Sequence, residues 1–231
     1  MTAILEDKAT LGINTPRETA RFNMIEQQIR TWEVLDPVVL DLLDKVPREY
    51  FVSASQIGLA FADVELPIGY GETMLSPKLE GRILQALSVN KTDKVLLIGT
   101  GSGYLTALLA ALALHVDAVE INPALSKIAN TRLAQQHIHN VTLHVGDGVN
   151  GFAAAAPYDV IVFTGSLPLR PLAVESMLNI GGRLFVVTGE MPIMQANLTQ
   201  RISADSYKHY TLFETCLPPL INAPQIPKFE F

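Results

Sequence analysis

Residues 79–188 predict an α/β fold, a doubly wound and mostly parallel sheet, on three observations. Apolar runs of strand length recur along the segment, helix-length stretches separate them, and the first run stops at a glycine-rich turn that opens into an apolar helix. Strands joined by helices need crossovers, and crossovers within one sheet are right-handed and pair their strands in parallel.

The elements follow in order. The first fifteen or so residues show no period and are expected to form a loose arm, whereas Phe22, Ile25 and Ile29 fall on one helical face and open the first ordered element. In the next helix Asp36 is placed to cap, Pro37 suits the first turn, and Val39, Leu42, Leu43 and Val46 make an amphipathic stripe that Pro47 ends. Residues 51–78 are rich in Gly, Pro and aromatic residues without a sustained period. So long a connection in a compact domain points to a functional loop, with GYGETMLSP at its centre. Residues 79–87 read as a helix, 94–98 (KVLLI) as a strand buried on both faces, 99–103 as a tight turn and 104–114 as a helix. Residues 116–121 are a second strand, Pro123 starts a helix reaching about Gln136, and 141–145 and 159–164 are the third and fourth strands. A helix over 171–178, punctuated by Gly181 and Gly182, precedes a fifth strand at 183–188. The alternating segments 196–202 and 209–217 predict an antiparallel hairpin at the sheet edge, and the proline-containing tail after it predicts extended chain. The expected organisation is a core over 79–217, with 1–78 as a helical segment and loop of the same domain and 218–231 as a Pro-rich tail.

With 48% hydrophobic residues in 231, the chain can bury the core of one such domain. A formal charge of −6, with only 17 Lys and Arg, argues against a broad nucleic-acid surface. Cys216 is the only cysteine, so no intrachain disulfide forms. The opening residues lack the basic-then-apolar pattern of a signal peptide, which leads us to expect a cytoplasmic protein. The most apolar stretch, 104–114, falls far short of the ~20 residues that span a bilayer, so no membrane partner is expected.

The chemistry concentrates in LLIGTGSGY. A buried strand that ends in glycines and enters a helix leaves unpaired N–H groups facing a crevice, where a nucleotide-like ligand belongs. Gly99, Gly101 and Gly103 taken alone would imply only a tight turn, but Glu120 falls at the end of the next strand, where a carboxylate accepts both ribose hydroxyls of an adenosine. A dinucleotide turn wants glycine where Tyr104 stands, and the Gly-Lys-Ser/Thr end of a phosphate loop is missing. The Gly146-Asp147-Gly148 turn after the third strand offers Asp147 to an adenine amino group, though Asp-Gly is a common turn pair in its own right. The set suits an adenosine carrying an amino-acid tail.

VPREYFV, ADVELPIGYGETMLSP, IGTGSGY, GDG and YDVIVFTGSLP, in this order over most of residues 22–190, resemble the protein-L-isoaspartate O-methyltransferase family. The resemblance implies a class I, Rossmann-like methyltransferase fold, S-adenosylmethionine as methyl donor, and repair of damaged proteins by esterifying their isoaspartyl carboxylates. It implies further that Gly99, Thr100, Gly101, Ser102, Gly103, Glu120, Ile121, Asp147 and Gly148 line the cofactor pocket. Where the family has Gly-Gln-Thr-Ile-Ser, this chain reads Gly71, Glu72, Thr73, Met74, Leu75, which sets Leu75 at the position of the active-site serine and points Ser76 the other way. Leu97 stands where the family has an acidic residue.

Thr73, Leu75 and Thr164 are the residues expected at the reacting end. A carboxylate acceptor, with a pKa near ~4, is ionised at neutral pH and needs no general base. That agrees with the five histidines, His115, His137, His139, His144 and His209, which show no metal-ligand spacing and are read as structural or exposed; no metal is expected. Leu75 and Glu72 together raise the expectation that isoaspartyl activity is reduced or replaced. A methyltransferase with another acceptor and a non-catalytic cofactor-binding module are the alternatives, and a nicotinamide-dependent reductase is disfavoured by Tyr104.

Overall fold

The computed structural model describes residues 15–225, so the expected N-terminal arm and the last six residues of the tail lie outside the described residues. Thr15 and Glu18 form a capping box that starts α1 (Pro16–Asn23), after which the chain widens into a π-helical stretch over Met24–Ile29. Ile25 and Ile29 are buried, but Phe22 is exposed. The change of helical period at residue 24 takes Phe22 off the face that a uniform helix assigns it. Asp36 caps α2 (Pro37–Lys45), accepting the Val38 N–H at 2.8 Å, and Val39, Leu42 and Leu43 are buried as their spacing required.

The segment 51–78 is more ordered than its composition suggested. A small antiparallel hairpin, β1 (Leu66–Gly69) with β2 (Glu72–Met74), turns through Tyr70 and Gly71 and feeds α3 (Pro77–Leu87). Its strands have four and three residues, too few for an alternating period to register in the sequence.

The main sheet has seven strands: β3 (Lys94–Ile98), β4 (His115–Glu120), β5 (Val141–Val145), β6 (Tyr158–Leu167), β7 (Leu178–Glu190), β8 (Ile193–Arg201) and β9 (Tyr207–Glu214). They lie in the order β5-β4-β3-β6-β7-β8-β9, parallel from β5 to β7 and antiparallel from β7 to β9. Between them run α4 (Tyr104–Leu112) and α5 (Pro123–Gln135). β3 shows why KVLLI is apolar throughout: Val95 and Leu97 join the core layer that also holds α2, α3 and α4, while Leu96 and Ile98 join the layer on the opposite face.

Three expectations need correction. The helix over 171–178 shrinks to a single turn, α6 (Leu172–Glu175), and Gly181 and Gly182 lie inside β7. A Cβ on Gly182 would meet the carbonyl oxygens of Asn179, Asp159 and Tyr158 at 2.9–3.1 Å, so glycine there permits close strand contact and does not end a helix. The edge hairpin is displaced toward the N-terminus, with its outer strand ending at Glu214. The tail runs extended only to Leu220, bridging to Ser166 through Pro219, and then turns at Ile221 and Asn222. Among the described residues no helix is long and apolar enough to cross a membrane.

Candidate active site

Strand order reverses at β3, which sits between β4 and β6, and open α/β sheets take ligands in the crevice beyond the carboxyl ends of the strands at such a point. A cleft of about 740 Å³, counted to its open mouth, occupies that place. β3 stops at Ile98, and the chain leaves the sheet at Gly99 with φ +90°. Thr164, from β6, sits over this exit and directs Oγ1 to the carbonyls of Ile98 and Gly99 at 3.0 and 2.9 Å. The single hydroxyl proton is thus spent on backbone, and what Thr164 offers the cleft is an acceptor oxygen. Glu120, buried at the end of β4, accepts the N–H of Gly101 at 2.9 Å on one oxygen and that of Asn122 at 3.0 Å on the other. Each oxygen keeps a lone pair for a ligand.

Of the residues singled out in the sequence, Gly99, Gly101, Glu120, Ile121, Asp147 and Gly148 line the cleft from the sheet side, with Thr73, Leu75 and Thr164 completing it. Thr100, Ser102 and Gly103 do not. Thr100 and Ser102 are buried behind the turn, the Ser102 hydroxyl accepts the Tyr104 N–H at 3.2 Å, and Gly103 opens α4 with its back to Ala129. They shape the loop and do not line the cleft. Leu75 and Ser76 face different cavities, as their alternation requires: Leu75 lines this cleft, while Ser76 lines a separate one with Lys78 and Arg82. Leu97 is fully buried in the core.

Sequence reasoning missed the apolar walls, Ile68, Ile98, Val119, Leu125 and Val149, and missed the tail, whose Pro218–Ile221 stretch forms one side of the cleft. The strand period gave a signal for Ile98 and Val119. Nothing in the sequence places the tail, which is held by the Ser166 N–H on Pro218 O at 2.9 Å, the Leu220 N–H on Ser166 O at 3.0 Å and the Asn222 side-chain amide on Asp147 Oδ2 at 2.9 Å.

The electrostatics of the lining are one-sided. Glu72, Glu120 and Asp147 contribute three carboxyl groups, and no Lys, Arg or His among the described residues lines the cleft. Burial, and then the neighbouring Glu120 carboxylate, push the Glu72 carboxyl above its ordinary value. The Thr73 hydroxyl donates to Glu65 at 3.3 Å. Apolar walls suit a heteroaromatic base, carboxylates suit ribose hydroxyls and amino groups, and the lack of a cation disfavours phosphate. This donor set fits a positively charged nucleoside. Among the described residues no group of three or more His, Cys, Asp or Glu is arranged to hold a metal ion.

Comparison with known proteins gives the same direction. The family model for protein-L-isoaspartate(D-aspartate) O-methyltransferase matches residues 19–221. A protein-L-isoaspartate O-methyltransferase of Protochlamydia amoebophila is 39% identical over 200 residues, which cover 86% of this chain and 95% of that protein. One from Magnetococcus marinus is 37% identical over 205 residues, 89% of this chain and 90% of that one. Among solved structures, a Plasmodium falciparum protein in complex with S-adenosyl-L-homocysteine superposes with a TM-score of 0.76 at 16% identity, covering 90% of this chain and 99% of that one.

Proposed function

Because the chain belongs to the protein-L-isoaspartate O-methyltransferase family, and is therefore an S-adenosylmethionine-dependent methyltransferase, we propose that it esterifies the isoaspartyl carboxylates of damaged proteins in the cleft between Gly99, Glu120 and the β1–β2 hairpin. One observation carries this assignment to the cleft: a nucleoside-type pocket and the residues expected to meet an acceptor, Thr73 and Leu75, share a single cavity. In our reading Glu120 holds the ribose, Asp147 and the apolar walls hold the adenine, and the turn at Gly99 and Gly101 approaches the methionine portion. The bound cofactor supplies a methyl group on a sulfonium. The protein's own work is to align a carboxylate oxygen with that carbon and exclude water, a task in which near-attack positioning can account for about 7–11 kcal/mol of the barrier.

Titration calorimetry with S-adenosylmethionine and a radiolabelled methyl assay on an isoaspartyl peptide, with the aspartyl isomer as control, test the reading. Transfer to the first peptide alone supports it, and cofactor binding without transfer refutes it. Glu120→Ala is expected to weaken cofactor binding by about 10- to 100-fold, since a charge-assisted hydrogen bond contributes about 1.5–3 kcal/mol and each 1.4 kcal/mol is tenfold. An unchanged Kd removes Glu120 from the pocket. Leu75→Ser restores a hydroxyl at the acceptor wall and is expected to raise kcat/KM on the isoaspartyl peptide by about fivefold, the effect of one added hydrogen bond of about 1 kcal/mol. A value equal to or below that of the parent shows that the Leu75 wall does not touch the acceptor.

A further inference from the structure

The acceptor assigned above is an anion, yet among the described residues the cleft that must admit it carries three carboxyl groups and no basic side chain. Two of them have fixed work. Glu120 is tied to Gly101 and Asn122 at the sheet end, and Asp147 is tied to Val149 and Asn222. Glu72 has neither role. It opens β2, shares the acceptor side of the cleft with Thr73 and Leu75, and makes no ion pair among the described residues. Among the described residues the charged groups that face it are few: Glu120 from β4 is its electrostatic neighbour, Asp147 lies in the same cleft beyond β5, and the β1 and tail walls contribute Ile68 and Pro218, Pro219, Leu220 and Ile221. Glu65 is engaged with Thr73 on the same hairpin.

We propose that Glu72 is the residue that governs admission of the acceptor: it meets the substrate carboxylate as the neutral acid, donates a hydrogen bond to one of its oxygens, and excludes it when ionised. The inference rests on the isoaspartyl reading and deepens it. A second carboxylate beside an ionised one is disfavoured, and a pair of facing carboxyls resolves this by holding one proton between them. Burial and the proximity of Glu120 both favour that proton on Glu72. Glu72 keeps its proton through the reaction. The new bond joins the other acceptor oxygen to the methyl carbon, and the broken carbon–sulfur bond leaves its electron pair on sulfur.

The test is the pH profile of kcat/KM for an isoaspartyl peptide, measured for the parent and for Glu72→Gln, with the Kd of S-adenosylmethionine followed at each pH. Both proteins should lose activity at low pH as the acceptor, with its pKa near ~4, takes up a proton. The parent alone should also decline toward high pH, with a limiting slope of about tenfold per unit once Glu72 ionises. Glutamine, a permanent donor of the same size, should stay flat there and exceed the parent by about tenfold or more in the alkaline range. Parallel profiles with transfer in both proteins overturn the proposal and leave the isoaspartyl reading standing. Absence of transfer in both proteins, with the cofactor bound, overturns that reading and the proposal with it.

Discussion

Gly99→Ala is expected to abolish cofactor binding at attainable concentrations and to destabilise the fold by about 2–4 kcal/mol, as two separate costs fall on one methyl group. The first is conformational: Gly99 has φ +90°, a region that an L side chain enters only at about 1–3 kcal/mol. The second is steric, since a Cβ built on Gly99 would overlap Thr164 Oγ1. The threonine cannot simply rotate away, because that oxygen is bonded to the carbonyls of Ile98 and Gly99, and losing it frees two backbone acceptors at the mouth of the pocket. The double variant Gly99→Ala, Thr164→Ala separates the two costs. It removes the overlap but keeps the strain, so thermal stability should recover in part while cofactor affinity remains low. If Gly99→Ala binds S-adenosylmethionine within threefold of the parent, the exit from β3 is not the cofactor's cradle.

What the sequence made legible follows from how local each signal was. KVLLI could be read as a central strand because both of its faces are buried, and that leaves an unbroken apolar run. Glu120 could be read because strand order alone puts the end of β4 beside the end of β3. Thr100 and Ser102 sit in the same five-residue turn as Gly99 and Gly101, and only the direction of each side chain distinguishes lining from support. The β1–β2 hairpin was hidden by strands too short to alternate. The tail wall was hidden for another reason: it is held by backbone bonds from Pro218 and Leu220 to Ser166 and by one side-chain bond from Asn222 to Asp147, partners far upstream that no local pattern announces.

VPREYFV, which matched the family motif without an evident duty, leads to the second large effect. Arg48 from this motif is fully buried, pairs with the buried Glu80 of α3, lies over the Tyr104 ring at 4.9 Å, and donates its Nη2 to the carbonyl of Leu75 at 2.6 Å. It therefore ties the acceptor wall to the helix that follows the glycine turn. The partners are not equivalent when one is removed. Arginine cannot shed its charge in a protein, so Glu80→Leu takes from a buried cation the oxygen that accepts its hydrogen bond, whether that carboxyl is ionised or neutral, and is expected to cost about 3–5 kcal/mol, or roughly 6–20 °C in Tm. Arg48→Met leaves a carboxyl that escapes by taking up a proton. Burial already pushes Glu80 up to about 8 against the pull of Arg48, so this variant should lose less, about 1–3 kcal/mol for the unpaired Leu75 carbonyl and carboxyl. The pH dependence has a definite sign. Folded Glu80 retains its proton above the ordinary value of 4.5 at which the unfolded chain releases it, so its stabilising contribution is whole below that pH and is lost as pH rises toward about 8. Without Arg48 the folded value climbs further, so the Arg48→Met penalty should be level up to about pH 8 and grow only above it. Chemical denaturation of both variants at pH 5 and pH 9 decides the matter: Arg48→Met losing more than Glu80→Leu at pH 5, or an Arg48→Met penalty no larger at pH 9 than at pH 5, contradicts this account. The link to Leu75 adds a functional readout, a rise in peptide KM of about tenfold for Arg48→Met with the cofactor Kd unchanged, because the released carbonyl loosens the acceptor wall and leaves the nucleoside pocket as it was.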